Sequence, residues 1–213
     1  MRSAVIVIGA IVVAHVIGGA PRADAAPQPS GPRPAIGLRA GFGLPRGLLE
    51  GGDGHRDAPL SEAVTGIIPA QLDVGYFLGS RFYVGAFFQY ALGQRVNGCP
   101  EGASCDARAM RFGLEASYHW PVSDRLGPWL GLGVGYDVFD PSRVPSVIDG
   151  QLRAVDRTFK GVEVSMQGGL DFRLGEAAWL GPFVALTASR YTNVNEAALH
   201  SWLMGGLRLQ LRL

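Results

Sequence analysis

The chain closes on LRLQLRL, residues 207–213, with leucine at every odd position and arginine or glutamine at every even one. Successive side chains of a strand point to opposite faces, so the run has one wholly apolar face and one that is charged or hydrogen-bonding. A helix would scatter the same residues round its axis. Two kinds of sheet accommodate such a strand. In a soluble half-buried sheet the leucines face a core and Arg208, Gln210 and Arg212 face water. In a membrane barrel the leucines face lipid and the arginines the lumen.

The same alternation recurs along the chain. In AIGLRAGFGL the apolar set is Ile36, Leu38, Ala40, Phe42 and Leu44; in PAQLDVGYFL it is Ala70, Leu72, Val74, Tyr76 and Leu78. RFYVGAFFQYAL places Phe82, Val84, Ala86, Phe88, Tyr90 and Leu92 on one side, and MRFGLEASYHW, WLGLGVGYDV and VEVSMQGGLDFRL set aliphatic and aromatic residues against glycines and polar or charged residues. LGPFVALTAS is the least regular, and Pro182 places its start near a strand end. With the terminal run this predicts eight strands. The 31 glycines among 213 residues and a charged content of 17% suit a protein of strands and turns.

The connections discriminate between the two kinds of sheet. Long polar segments, about residues 45–66, 94–108, 139–157 and 190–200, alternate with short turns at 79–81, 121–127 and 175–178. Short turns at one end and long loops at the other characterise bacterial outer-membrane barrels. Aromatic residues gather at the same boundaries: Tyr76, Phe77, Phe82, Tyr118, Trp120, Trp129, Phe172 and Trp179 near short turns, and Tyr90, Tyr136, Phe139, Tyr191 and Trp202 near long loops. Two interfacial belts would look like this, as would a plain preference of aromatics for strand ends. The fold class predicted is all-β, an eight-stranded antiparallel up-and-down transmembrane β-barrel.

The less apolar face then points inward. It offers Arg39, Arg111, Arg173, Arg208 and Arg212 as cations, and Asp73, Glu115, Asp137, Glu163 and Asp171 as anions. Buried charges persist when paired, and matched numbers make pairing feasible. A soluble retinol-type barrel would need the reverse, an apolar interior for its ligand.

The first 26 residues are of another kind. Met1-Arg2, the run AVIVIGAIVVAHVIGGA and the small residues of ADAA read as a cleaved secretory signal peptide; the alternative, a membrane anchor, asks for about 20 apolar residues. Residues 27–34, PQPSGPRP, form a Pro-rich leader, and 35–213 the barrel. Removing Arg2, Arg22 and Asp24 leaves equal numbers of basic and acidic residues, so nothing points to nucleic acid.

The layout LDVGYFLGSRFYVGAFFQYALG, two loop cysteines, then MRFGLEASYHW, PWLGLGVGYDV and LDFRLG resembles the small eight-stranded outer-membrane barrels of the OmpA/OmpX-like superfamily, and is similar to barrels of myxobacterial type. The resemblance covers residues 35–213 and implies a Gram-negative envelope location, contact with outer-membrane lipid, insertion by the barrel assembly machinery and a monomer. It implies no catalytic residues, metal or cofactor. Such proteins usually finish on an aromatic residue that the assembly machinery recognises; here the closing strand finishes on Leu213, leucines standing where aromatics are usual.

Cys99 and Cys105 share the loop NGCPEGASCD. In an oxidising compartment they are expected to form a disulfide; a metal site would need further ligands. Glu115, Ser117 and His119 fall on one face of EASYH, an arrangement of acid, nucleophile and base. Alternate residues of a strand are about 7 Å apart, so a Ser117–His119 hydrogen bond is not expected without bending, and the face is luminal. GLGVG and GFG lack the strand-to-helix context of phosphate loops. The function expected is a structural or interaction role through the outer loops around a lumen filled by side chains, since eight strands leave an interior that side chains can fill. The alternatives are a narrow pore or a lipid-modifying barrel enzyme.

Overall fold

The computed structural model describes residues 31–50, 58–94, 107–141, 144–148, 151–155, 158–193 and 199–213. The signal-peptide reading and the Cys99–Cys105 pair lie outside these residues, as does the first half of the leader.

Eight long strands dominate: β1 (Arg33–Glu50), β2 (Gly66–Leu78), β3 (Phe82–Gln94), β4 (Arg108–His119), β5 (Leu126–Asp140), β6 (Phe159–Arg173), β7 (Ala178–Tyr191) and β8 (Leu199–Arg212). Each pairs antiparallel with its neighbour in sequence, and β8 returns to β1, from Ala35 opposite Arg212 to Gly47 opposite His200. The sheet is a closed up-and-down barrel without a free edge. The terminal LRLQLRL run is therefore half of the closing seam. Leu213 N–H donates to the Pro34 carbonyl at 2.8 Å and Arg212 N–H to that of Ala177 at 2.8 Å, tying the seam's lower end on both sides.

Strands of 12 to 18 residues exceed the 9–11 that a tilted strand needs to cross a bilayer. No described helix is long and apolar enough to cross one. The barrel starts at Arg33, two residues earlier than the sequence reading placed it, because Arg33 and Pro34 already lie opposite Phe77 and Tyr76. Pro182 is not at a strand end. It sits five residues into β7 opposite Leu207, and the ladder to β6 passes over Gly181 and Pro182 without losing register. The missing proline N–H and the Leu170 carbonyl pressed against Gly181 account for the gap.

The short turns lie at one end. Gly79 adopts φ 71°, a conformation glycine takes without steric cost, and the Ser123 hydroxyl accepts from the N–H groups of Leu126 and Arg125 at 3.1 and 3.3 Å. At the other end two connections carry structure that alternation did not predict. Ala58–Pro59 pairs with β1 and leads into a single helical turn, Leu60–Ala63. Val144–Ile148 pairs with Gln151–Val155 as a hairpin.

Burial is inverted relative to a soluble domain. Leu114, Leu132, Val184 and Leu207 are exposed, from 59% to 64%, whereas Asp73, Arg208 and Gln210 are at 0%. Charged groups line the inside and aliphatic ones coat the outside. Hydrocarbon outside removes the cost of the exposed aliphatic face, and ion pairing inside offsets that of the buried charges.

Candidate functional site

The lumen is the place where chemistry-bearing groups converge, and the parity of each strand decides which residues enter it. Arg39, Asp73, Arg111, Glu115, Asp137, Glu163, Asp171 and Arg208 are all buried within it, and Arg212 is half-buried at its short-turn end. Arg173 is a correction. It has the inward parity but stands exposed at the rim, where its guanidinium donates to the Gly175 and Glu176 carbonyls at 2.9 and 3.3 Å. As the last residue of its strand it reaches the turn more readily than the lumen.

Three ion-pair clusters stack along the axis. At mid-height Arg39 on β1 donates through Nε to Asp73 at 2.7 Å and through Nη2 to both oxygens of Glu115 at 2.8 and 3.0 Å, spanning the barrel from β1 to β4. Its Nη1 donates to Gln167, whose own amide donates to Glu115 at 2.7 Å, and Gln71 donates to Asp73 at 2.7 Å. The rings of Trp129 and Phe183 flank this guanidinium at 5.5 and 5.8 Å. Nearer the long loops, Arg111 pairs with both oxygens of Glu163 in a fork and donates to Gln89 at 2.9 Å; Ser189 donates to the same carboxylate at 3.2 Å. Arg111 does not pair with Glu115, although both lie on β4. Bridging across the lumen gives the guanidinium fork the bidentate geometry that residues on one strand do not offer it. Towards the short turns Asp171 is shared by Arg212 at 3.4 Å and Arg208 at 3.6 Å. Arg208 lies over the Trp129 ring at 4.2 Å, and Arg212 over Phe77 and Trp179 at 4.3 and 4.4 Å.

Sequence reasoning from charge missed the neutral members. Gln89, Gln167 and His200 share the inward parity and were findable by it. His200 meets Asp137 at 2.9 Å and stacks on Tyr191 with centroids 4.0 Å apart. The aromatic belts also need correcting. Tyr76, Phe82, Tyr118, Trp120 and Phe172 are exposed on the outer face near the short turns, but Phe77, Trp129, Phe139, Tyr191 and Trp202 are buried inside. Closeness to a strand end does not choose a face; parity does. The inward rings and the one-turn helix combine: Leu60, Val64, Ile67, Phe139 and Trp202 belong to one apolar cluster at the long-loop end. A cavity of about 10 Å³ lies between the Arg39 and Arg111 clusters, lined by those arginines, Glu115, Gln167, Phe87 and Met204 among others. That is about the room one water molecule needs.

Ser117 and His119 also depart from expectation: Ser117 Oγ lies 3.1 Å from His119 Nε2, so these alternate residues reach each other by leaning along the strand. With Asp171 3.8 Å from His119 Nδ1 the trio has the outline of a hydrolytic triad. Its protons are arranged wrongly. Arg212 Nη2 lies 3.2 Å from His119 Nδ1, and a guanidinium can only donate. Nδ1 is then the acceptor, Nε2 carries the proton and donates to Ser117, and no lone pair remains to take the serine's proton.

Comparison with solved structures agrees with this architecture. The crystal structure of Neisserial surface protein A overlays with TM-score 0.51 at 12% identity, covering 86% of this chain and 99% of that one. The chain has the fold of a small outer-membrane β-barrel. OprG from Pseudomonas aeruginosa (TM-score 0.45, 16% identity, 86% and 99% covered) and the N-terminal barrel domain of OprF from the same organism (0.43, 14%, 83% and 97%) are also similar. No protein-family model matches the chain, and no curated protein does.

Proposed function

We propose that this chain is a bacterial outer-membrane barrel, closed along its axis by its own side chains, that acts through its long loops as a structural or interaction protein rather than as an enzyme. The observation that carries the reading is the side-to-side bridging of Arg39 to Asp73, Glu115 and Gln167, which sets a charged, mutually satisfied layer across the lumen, with a cavity of about single-water size between it and the Arg111 cluster. The apolar cluster around Leu60 and Trp202 supports closure at the long-loop end. Outer-membrane lipid is then the surrounding partner, with insertion by the barrel assembly machinery and a monomeric state as parts of the same reading. The likeness to barrels of myxobacterial type belongs to it as well. Cys99 and Cys105 would form a disulfide in one long loop. Against a lipid-modifying enzyme stands the tautomer that Arg212 imposes on His119.

Planar-bilayer recording tests the reading. The native protein should give no large, steady conductance. A wide, stable open level would transfer the assignment to a pore.

A further inference from the structure

On four strands the outward apolar file ends, at the long-loop side, in a cation, and three of these cations stand close together. Leu44 is followed two residues on by Arg46, Ala188 by Arg190, and, running the other way, Val162 by Lys160; all three cations are exposed on the outer face. The registers bring them together. Arg190 lies opposite Val162 on β6, so Lys160 is its diagonal neighbour, about 7–8 Å away between Cα atoms. Arg190 also lies opposite Leu199 on β8, and the next outward residue there, Ser201, lies opposite Arg46. Two strand spacings of about 4.8 Å and one same-face step of about 7 Å separate Arg46 from Arg190. Arms as long as those of lysine and arginine close both gaps.

None of the three makes an ion pair with a carboxylate among the described residues. Arg108, which ends the outward file of β4 at the same side, differs in having Asp140 directly opposite. Below the trio the outer face offers Leu44, Val162, Val164, Leu186 and Leu203, all exposed. A cationic cluster directly above an aliphatic wall is complementary to a lipid with an anionic headgroup. Two arginines favour phosphate, whose oxygens match the guanidinium fork.

We propose that this face of β6, β7, β8 and β1 binds a multi-acyl lipid through a phosphorylated headgroup, with Arg46, Lys160 and Arg190 on the phosphates and the acyl chains against the wall below. The proposal rests on the membrane reading given above.

The test reconstitutes the full protein in phosphatidylcholine vesicles doped with diphosphoryl lipid A, with its dephosphorylated form, or with phosphatidylglycerol, and measures the lipid retained per protein. Diphosphoryl lipid A should be enriched over the dephosphorylated form on the order of tenfold, and over phosphatidylglycerol as well. The variant R46Q/K160Q/R190Q should insert normally and lose the enrichment. R81Q/R125Q, at the short turns, should keep it. Equal retention of both lipid A forms, enrichment that survives in the triple variant, or loss of it in R81Q/R125Q would overturn the proposal while leaving the barrel in its membrane. Equal enrichment of phosphatidylglycerol would reduce the site to charge alone and overturn it too. Failure of the native protein to insert would remove the membrane reading itself, and this proposal with it.

Discussion

Arg39 shows how a single side chain organises a lumen. It is 4% exposed and serves two carboxylates and an amide on three other strands. Removing it as Arg39→Leu leaves Asp73 and Glu115 buried without the cation that hydrogen-bonds them, a loss on the order of 3–5 kcal/mol. Glu115→Leu should cost less, because Arg39 keeps Asp73 and Gln167, whereas Asp124→Leu in an exposed turn should change little. Urea titrations of the three variants in lipid check the order; Arg39→Leu unfolding at the native midpoint would mean that water reaches the site. Glycine matters where a large side chain lies along the wall. A Cβ on Gly85 would meet the Tyr83 hydroxyl at 2.3 Å and the Val74 carbonyl at 2.7 Å. Gly85→Ala should therefore cost about 1–3 kcal/mol in the same titration, although alanine is the smallest substitution available.

At the scale of the strand, alternation does two jobs in β8. Leu207 faces out at 59% exposure while Arg208, next to it, is at 0%. An arginine in place of Leu207 would put a charge on the lipid face, costing up to about 2–4 kcal/mol if the residue lies near the bilayer midplane. The same change made inward of it is already native. Folding yield in vesicles, read as the fraction of protein that resists unfolding in cold detergent, should fall for Leu207→Arg and stay close to native for Leu207→Val. Equal yields would place water, not hydrocarbon, against that face. The single turn Leu60–Ala63 has a different role. Too short to stand alone, it is held by the burial of Leu60 and Val64 at the long-loop end.

For the whole molecule the consequence is a closed barrel, with Leu60 and Val64 buried in the apolar cluster at its long-loop end. The double variant L60D/V64D should loosen that cluster and still give no bilayer current steps, because the Arg39 and Arg111 layers span the lumen beneath it. Current steps in that variant would assign closure to the long-loop cluster instead. Native protein should remain in the envelope pellet after carbonate washing, as lipid contact over the whole outer face requires; release into the wash would contradict the membrane assignment. Alkylation of freshly isolated, unreduced envelopes should modify neither Cys99 nor Cys105, and reduction should leave the barrel intact, since both cysteines fall in one connection between β3 and β4.

Strand number, order and the two faces were legible in the sequence, because a period of two is a local property that eight runs repeat, and loop length alternates with it. Parity alone also places Glu115, Arg208 and Asp171 on the inward face, where they are buried. Partner choice was not legible. Glu115 lies four residues from Arg111 in the chain but pairs with Arg39, 76 residues away, because closure of β8 onto β1 sets which strands face one another across the lumen and how their residues are offset. The same closure brought Arg212 to His119 and so decided the histidine's tautomer. Nor could local pattern reveal that Leu60 and Val64, in a polar connection, would turn back into the barrel, for that depends on the space left above Trp202 when eight twisted strands meet.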